Sequence, residues 1–200
     1  MIKTVIFDIG NVLTAFSWQK HFNSFGYPAD IVDRLGKATV LSSQWCEYDL
    51  GNLSDDEILE LFIKNDPEIE KEFRHSLQDV HGILERCDYA IPWIEDLKAK
   101  GYRVLFLSNF SEKVQKECAR AIDFVPHMDG GIFSFKVHLI KPDPAIYRLI
   151  LQQYHLQAEE CVFIDDTLPN ITAAEALGIH GIHFQNFKQA TEELKSLGVK

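Results

Sequence analysis

The sequence has few of the features that crosslink a chain or anchor it in a membrane. Its four cysteines lie far apart and form no CxxC pair, which argues against a zinc site and against a disulfide framework. We expect them to be buried free thiols. No apolar run approaches bilayer length, and the chain opens on a strand-like segment, MIKTVIF, rather than on a signal peptide. The sequence therefore predicts a cytoplasmic protein without a membrane partner.

Positive charge is also scarce. The chain has 20 Lys and Arg against 30 Asp and Glu, a formal net charge of -10, and no Lys/Arg-rich stripe that could follow a phosphate backbone. This argues against nucleic acid as a partner. A small phosphate ester remains open as a ligand, because it needs only local positive charge from one lysine and a divalent cation. The sequence does not fix the oligomeric state.

A folded core is well supported by composition, since 46% of the 200 residues are hydrophobic and 12% are aromatic. This length suits one domain, or one domain with a small insertion. A strand is predicted at residues 4–8, and strands and helices alternate regularly from about residue 90 onward. The pattern predicts an α/β fold with a doubly wound, mostly parallel, Rossmann-like sheet.

The stretch between Leu13 and Ala90 has apolar residues at helical spacing. Turn signals divide it into about four short helices, and Ser54 is the expected N-cap of a capping box that closes on Glu57. We expect this stretch to cover the sheet edge as a cap. The predicted division is a core of residues 1–13 and 91–200 with a helical cap of residues 14–90.

Polar residues stand where the predicted strands end. Asp8 closes VIFD, Ser108 and Asn109 close VLFLSN, and Asp165-Asp166 closes VFIDD, whereas Lys141 lies in a loop before Pro142. In an open parallel sheet, ligands bind beyond the carboxyl ends of the strands, so these residues can converge on one crevice. Carboxylates, a lysine and hydroxyl or amide donors together suit phosphoryl transfer.

These four motifs, in this order, resemble those of the haloacid dehalogenase-like (HAD) superfamily of aspartate-nucleophile phosphohydrolases, over nearly the whole chain. The first motif, Asp-x-Gly-Asn, is similar to that of the bacterial subgroup that includes α-D-glucose-1-phosphate phosphatase. The segments YDLGNLSDDE and KPDPAIY are similar to that subgroup too. The resemblance implies a HAD-like core with a helical cap, and a magnesium-dependent phosphatase for small sugar phosphates such as glucose 1-phosphate.

The resemblance also implies a role for each matching residue. Asp8 would be the nucleophile that forms an aspartyl-phosphate, and Lys141 would neutralise charge on the phosphoryl group. The expected phosphate-binding residues are Asn11, Ser108, Asn109 and Lys141. The expected Mg2+ ligands are Asp8, the carbonyl of Gly10, Asp165 and Asp166, with Asp166 the first choice.

Gly10 departs from the superfamily pattern. Most phosphatases of the superfamily have a second aspartate there, which protonates the leaving oxygen. General acid catalysis contributes about 100- to 10,000-fold, so its loss slows substrates with poor leaving groups unless another group substitutes. An anomeric phosphate has a comparatively good leaving group, which is consistent with glucose 1-phosphate as the substrate.

Three alternatives remain open from the sequence. A metal-independent haloacid dehalogenase would also use an aspartate nucleophile, but the acids Asp165 and Asp166 would repel a departing halide without a cation. A non-catalytic phospholigand-binding module could have kept the site after losing the acid at Gly10. An interaction protein with an acidic surface has only net charge in its favour. In the cap, Trp45 and Tyr48 either face the substrate or fill the cap's own core.

Overall fold

A computed structural model describes all residues from Met1 to Lys200. The fold is α/β, with seven β-strands in two sheets. The strands are β1 (Thr4–Phe7), β2 (Thr14–Phe16), β3 (Leu84–Arg86), β4 (Arg103–Ser108), β5 (Gly131–Phe133), β6 (Cys161–Asp165) and β7 (His180–His183).

The main sheet has five parallel strands in the order β5-β4-β1-β6-β7. Strand β1 is therefore central, and the chain adds strands first on one side of it and then on the other. This reversal is the switch point at which open α/β sheets bind ligands. The prediction of a mostly parallel, doubly wound sheet is confirmed.

Ten α-helices complete the fold. They are α1 (Trp18–Ser24), α2 (Ala29–Ala38), α3 (Trp45–Leu50), α4 (Asp55–Asn65), α5 (Glu70–Ser76), α6 (Ala90–Ala99), α7 (Glu112–Glu117), α8 (Pro144–Gln153), α9 (Leu168–Glu175) and α10 (Phe187–Ser196). None combines the length and apolar composition that crossing a bilayer requires.

Both faces of the main sheet are buried, because successive side chains of a strand point to opposite sides. Val5 and Phe7 of β1 belong to one apolar cluster, which includes residues of α6, α7 and α10. Ile6 belongs to a second cluster, which includes residues of α8 and α9. The strands read as continuous apolar runs for this reason, and only their ends carry polar residues.

The sequence predicts only helices between Leu13 and Ala90, but the structure also has strands there. The stretch holds five α-helices rather than about four, and it begins and ends with short strands, β2 and β3, which pair antiparallel. Helices α1–α5 share a third apolar cluster of their own. The predicted capping box is confirmed, since the Ser54 side chain accepts from the Glu57 N–H and the Glu57 side chain accepts from the Ser54 N–H. We call the helical segment between β2 and β3 the insertion.

The expectation that all four cysteines are buried is corrected. Cys118 and Cys161 are buried, but Cys46 is exposed and Cys87 is only partly buried.

Helix α7 ends at Glu117, although buried apolar residues continue beyond it. The apolar residues beyond it pack against the sheet from a turn-rich segment, so burial there reflects packing and not helical periodicity.

Candidate active site

Three predicted site residues lie at the carboxyl ends of adjacent strands. Asp8 directly follows β1, Ser108 ends β4 on one side of it, and Asp165 ends β6 on the other. The hydroxyl of Ser108 donates to Asp8 Oδ1 at 2.7 Å. The parallel register therefore brings residues about 100 and 157 positions apart in the sequence to one edge of the sheet.

Lys141 reaches the same point from the loop between β5 and α8. The Asn109 side chain holds the backbone of this loop, because its amide donates to the Lys141 carbonyl at 3.0 Å and its oxygen accepts from the Lys141 N–H at 2.8 Å. The Lys141 ammonium lies 2.9 Å from Asp8 Oδ1 and 2.6 Å from Asp165 Oδ2. Burial opposes its charge, but the attraction of both carboxylates outweighs this, and the pKa of Lys141 is raised.

The two oxygens of Asp8 have different surroundings. Oδ1 accepts from the Ile9 N–H and from Ser108, both at 2.7 Å, and pairs with Lys141. Oδ2 accepts no hydrogen bond from the protein. Burial raises the pKa of Asp8 to about 7, with Lys141 opposing the rise and Asp165 adding to it. One oxygen is thus fixed in position while the other is left open to a ligand.

The two carboxylates of the acid pair, Asp165 and Asp166, differ in burial and in how many hydrogen bonds they accept. Asp165 is fully buried, and its oxygens accept from Lys141, from the Thr167 N–H at 2.8 Å and from the Asn170 amide at 3.0 and 3.1 Å. Asp166 is partly exposed and accepts from the Asn11 amide at 3.0 Å. Asp166 is therefore the better placed of the two to bind a ligand directly.

A cation suits this cluster of acids. Asp8, Asp165 and Asp166 can each offer a carboxylate oxygen within 4.8 Å of the other two. Oxygen ligands at this spacing fit Mg2+, which usually keeps several waters beside one or two carboxylates. Three carboxylates beside a single lysine also leave an excess of negative charge that a divalent cation would offset.

The turn after β1 differs in detail from the sequence-based expectation. Asn11 has a positive φ of 54°, and its side chain bonds to Asp166 and to the Phe16 N–H, so its amide orients the acid pair. The Asn109 amide is likewise engaged by the Lys141 loop. The backbone N–H groups of Gly10 and Asn109 donate to no protein atom. Phosphate contacts would therefore come from the backbone N–H groups of Gly10 and Asn109 more than from the side chains of Asn11 and Asn109.

A cavity of about 260 Å³ opens beside these groups. The polar part of its lining, the polar wall, includes Asp8, Gly10, Asn11, Asn109 and Asp166. The apolar part of its lining, the apolar wall, consists of Phe16, Trp45, Leu84, Phe110 and Val114. The sequence leaves open whether Trp45 and Tyr48 face the substrate. Trp45 lines this cavity, whereas Tyr48 is buried in the core of the insertion.

Sequence reasoning missed Asp49, which also lines the cavity from α3. It is 9% exposed, and burial raises the pKa of its carboxyl to about 8, with the charge of Asp8 adding to the rise and Lys141 opposing it. The only signal in the sequence is an acid at the end of a short helix, which is an ordinary surface feature. Its burial beside Asp8 depends on where the insertion packs against the rest of the chain.

Comparison with known proteins identifies relatives over the whole chain. A model of the haloacid dehalogenase-like hydrolase family matches residues 2–178. A sesquiterpene phosphatase of Aspergillus oryzae is 25% identical over 98% of this chain and 96% of its own length. A drimenol cyclase of Aspergillus calidoustus is 28% identical over 98% of this chain, which spans only 37% of that longer protein. An (S)-2-haloacid dehalogenase of a Pseudomonas species is also among the relatives, and an L-2-haloacid dehalogenase of Xanthobacter autotrophicus is among the solved neighbours.

Solved structures agree on the fold. A HAD family enzyme of Bacteroides thetaiotaomicron, solved in complex with magnesium and inorganic phosphate, superposes with a TM-score of 0.72. It is 18% identical, and the match covers 95% of this chain and 99% of that one. At this identity the likeness concerns the fold alone.

Proposed function

This chain belongs to the haloacid dehalogenase-like hydrolases, and from this we propose that it is a phosphatase that hydrolyses small phosphate monoesters through an aspartyl-phosphate on Asp8. The observation that carries the proposal is the environment of Asp8. Its Oδ1 is held by three donors and its Oδ2 is open, beside a buried lysine at a cavity large enough for a phosphate ester.

The first step is attack by Asp8 Oδ2 on phosphorus. The bond from phosphorus to the ester oxygen breaks, and its electron pair stays with the departing alcohol oxygen. Lys141 and the free backbone N–H groups of Gly10 and Asn109 are donors for the phosphoryl oxygens as charge builds up on them. The Ser108 hydroxyl would join them by turning its single proton from Asp8 Oδ1 to the phosphate. Water then attacks the aspartyl-phosphate, and Asp8 and inorganic phosphate are released.

The cation we propose at this site is Mg2+. Asp8 and Asp166 would hold it directly, with the Gly10 carbonyl, while Asp165, whose oxygens are already bonded, would act through a bound water. When bound, the ion would neutralise charge between nucleophile and phosphate. The hydrogen bond from the Asn11 amide restrains the Asp166 carboxylate, which supports this role.

Two substrate classes follow from different observations. The resemblance of the first motif to glucose-1-phosphate phosphatases favours a sugar phosphate, with glucose 1-phosphate first. The apolar wall of the cavity favours a monoester of an apolar alcohol, because Phe16, Trp45 and Phe110 would bury such a group from water.

Dehalogenation is the rival reaction. It too would begin with Asp8, but it requires no cation. The carboxylate of Asp166 beside Asp8 argues against it, since a departing halide would meet a second negative charge. A binding module without turnover is the other rival, and it would keep the same phosphate contacts.

The decisive experiment is phosphate release from a panel containing glucose 1-phosphate, glucose 6-phosphate and a prenyl monophosphate, with Mg2+ and with a chelator. We expect Mg2+-dependent release by the wild type and none by Asp8→Asn, because an amide cannot form the aspartyl-phosphate. Asp166→Ala should require more Mg2+ for the same rate. Faster release from glucose 1-phosphate than from glucose 6-phosphate would support the sugar substrate, and equal rates would count against it. Near-normal turnover by Asp8→Asn would contradict the mechanism.

A further inference from the structure

The proposed reaction lacks a proton donor on the polar wall of the cavity. The departing alcohol oxygen carries an electron pair and needs a proton, but the position two residues after the nucleophile is Gly10. Lys141 cannot supply it without leaving two buried carboxylates unpaired. Some other group that faces the cavity is required if alcohols with strongly basic oxygens are to leave.

Three carboxyl groups line the cavity, and they differ in their partners. Asp8 bonds to three donors and Asp166 to the Asn11 amide. The side chain of Asp49 accepts no hydrogen bond and forms no ion pair, although it is 91% buried. A buried carboxyl without a partner is costly, so such a group is rare unless it has a role.

The oxygens of Asp49 face the cavity. No fully buried side-chain N or O atom in the protein lacks a partner, so the unpartnered oxygens of Asp49 must keep some contact with solvent. The cavity shared with Asp8 is where Asp49 reaches the surface. The carboxyl of Asp49 thus lines the same cavity as the nucleophile Asp8.

The segment that follows β5 fixes the position of Asp49. The Ser134 hydroxyl donates to the Asp49 carbonyl at 2.6 Å, and the His138 ring donates to the Leu50 carbonyl at 3.0 Å. Gly51 packs directly on Phe135. These contacts come from the segment between β5 and Lys141, so one loop positions both the lysine and the end of α3.

We propose that Asp49 is the general acid and base of this hydrolase, replacing the acid that is absent at Gly10. The proposal rests on the phosphatase function proposed above. In the first step the Asp49 carboxyl gives its proton to the ester oxygen as the bond to phosphorus breaks, which yields a neutral alcohol. In the second step the Asp49 carboxylate takes a proton from the attacking water, and the bond between phosphorus and Asp8 breaks. Asp8 returns as a carboxylate and Asp49 as a carboxyl.

The protonation state of Asp49 agrees with this role. Burial and the charge of Asp8 keep its pKa near 8, so the carboxyl carries a proton at neutral pH before the ester bond is cleaved. A general acid is most effective when its pKa lies near the working pH.

The test compares esters that differ in how much the departing oxygen needs a proton. 4-Nitrophenyl phosphate releases a weakly basic phenolate, whereas a simple alkyl phosphate releases a strongly basic alkoxide. For Asp49→Asn we expect kcat/KM to fall by about 100-fold or more on the alkyl phosphate and by less than about 10-fold on 4-nitrophenyl phosphate. Asp56→Asn, an exposed acid of α4, is the matched control and should leave both rates unchanged.

The outcomes separate the two proposals. If the wild type hydrolyses neither ester, the phosphatase function fails and this role of Asp49 fails with it. If the wild type is active but Asp49→Asn lowers both rates equally, or lowers neither, the role of Asp49 alone is rejected. A second measurement needs no variant: with an internal acid, the wild-type kcat/KM depends only weakly on leaving-group basicity across substituted phenyl phosphates. A steep dependence would overturn the proposal even if Asp49→Asn did not fold.

Discussion

Lys141 is the residue on which the charge balance of the site depends. Its side chain is 1% exposed, and its ammonium lies between the carboxylates of Asp8 and Asp165. A cation so deeply buried is tolerated because both partners are within hydrogen-bond distance. The same arrangement makes the two carboxylates dependent on it.

Lys141→Met should therefore destabilise the protein as well as inactivate it. Removing one partner of a buried ion pair leaves uncompensated charge, and we expect a loss of about 3 kcal/mol in the free energy of unfolding. Urea unfolding in the presence of a chelator measures this. Lys116→Met, at an exposed position of α7, should change stability by less than about 0.5 kcal/mol. Equal effects of the two variants would contradict the structural role of Lys141.

Asp49 should make stability depend on pH. Its pKa is about 8 in the folded protein against an ordinary 3.8, so the folded state holds a proton that the unfolded state has released. This contribution is fully present below the ordinary pKa and is lost as the pH rises towards about 8. Relative to Asp49→Asn, the wild type should lose up to about 2 kcal/mol between about pH 5 and pH 7. Unfolding of both proteins in a chelator at the two pH values checks this, and a difference that does not vary with pH would contradict it.

Gly10 offers a complementary substitution. A Cβ added there would meet no atom within 4 Å, and the backbone has no positive φ, so an aspartate fits. In the Asp49→Asn background, Gly10→Asp should restore hydrolysis of an alkyl phosphate by about 10-fold or more, because it supplies an acid at another position that lines the same cavity. Steady-state kinetics of the double variant measures this, with Gly10→Asn in the same background as the control that fits but carries no acid.

Single residues show where sequence reasoning works and where it stops. Asp8, Ser108 and Asp165 were predictable together because a polar residue at the end of a buried strand must lie at the sheet edge. The hydrogen bonds of Asn11 and Asn109 were not predictable, since an amide beside a site can contact ligand or protein equally well. Asp49 was missed because its burial depends on how a separate set of helices packs.

At the scale of elements, the end of α3 packs closely against the segment that follows β5. Gly51 has a φ of +66°, and a Cβ there would lie 2.8 Å from the Phe135 Cβ and 2.9 Å from its carbonyl oxygen. Only glycine allows α3 to end so close to this backbone. The position of Asp49 depends on that close approach.

Gly51→Ala should thus displace α3 and lower activity on alkyl phosphates. Gly26→Ala is a matched control, because Gly26 has a φ of +76° but open space around its Cβ position. Both variants should lose about 1 kcal/mol from backbone strain, and Gly51→Ala at least about 1 kcal/mol more from the clash. Thermal unfolding and kinetics of the two proteins measure this, and identical behaviour would show that the contact with Phe135 does not matter.

The ends of helices and strands were predictable where the apolar pattern extends over many residues or where the sequence contains a helix-capping motif. The strands of the main sheet and the capping box at Ser54 follow from local sequence. Strands β2 and β3 have three residues each, which is too short for alternation to show, and their pairing joins residues about 70 positions apart. Such a pair is visible only once the chain has folded.

For the whole molecule, cation binding and folding should be coupled. Three carboxylates gathered at one edge repel one another in the folded state, and an ion that binds only there stabilises that state. At about 100 times its dissociation constant, Mg2+ should raise the melting temperature by about 5–10 °C. A thermal scan with Mg2+ and with chelator tests this without any assay of turnover. The rise should be lost in Asp166→Ala, and a rise that persists there would place the ion elsewhere.

The antiparallel pair β2–β3 also has a consequence for how a chain of this kind can diversify. Phe16 and Leu84 are register partners, so the insertion leaves and rejoins the sheet at points about one strand spacing apart, roughly 5 Å. A segment of any length whose two ends lie this far apart can replace the insertion without moving Asp8 or Lys141. Asp49, in contrast, belongs to the replaced segment. Recombination at the β2–β3 pair would therefore exchange Trp45 and Asp49 together, while Asp8, Lys141 and the other groups proposed to contact phosphorus are retained.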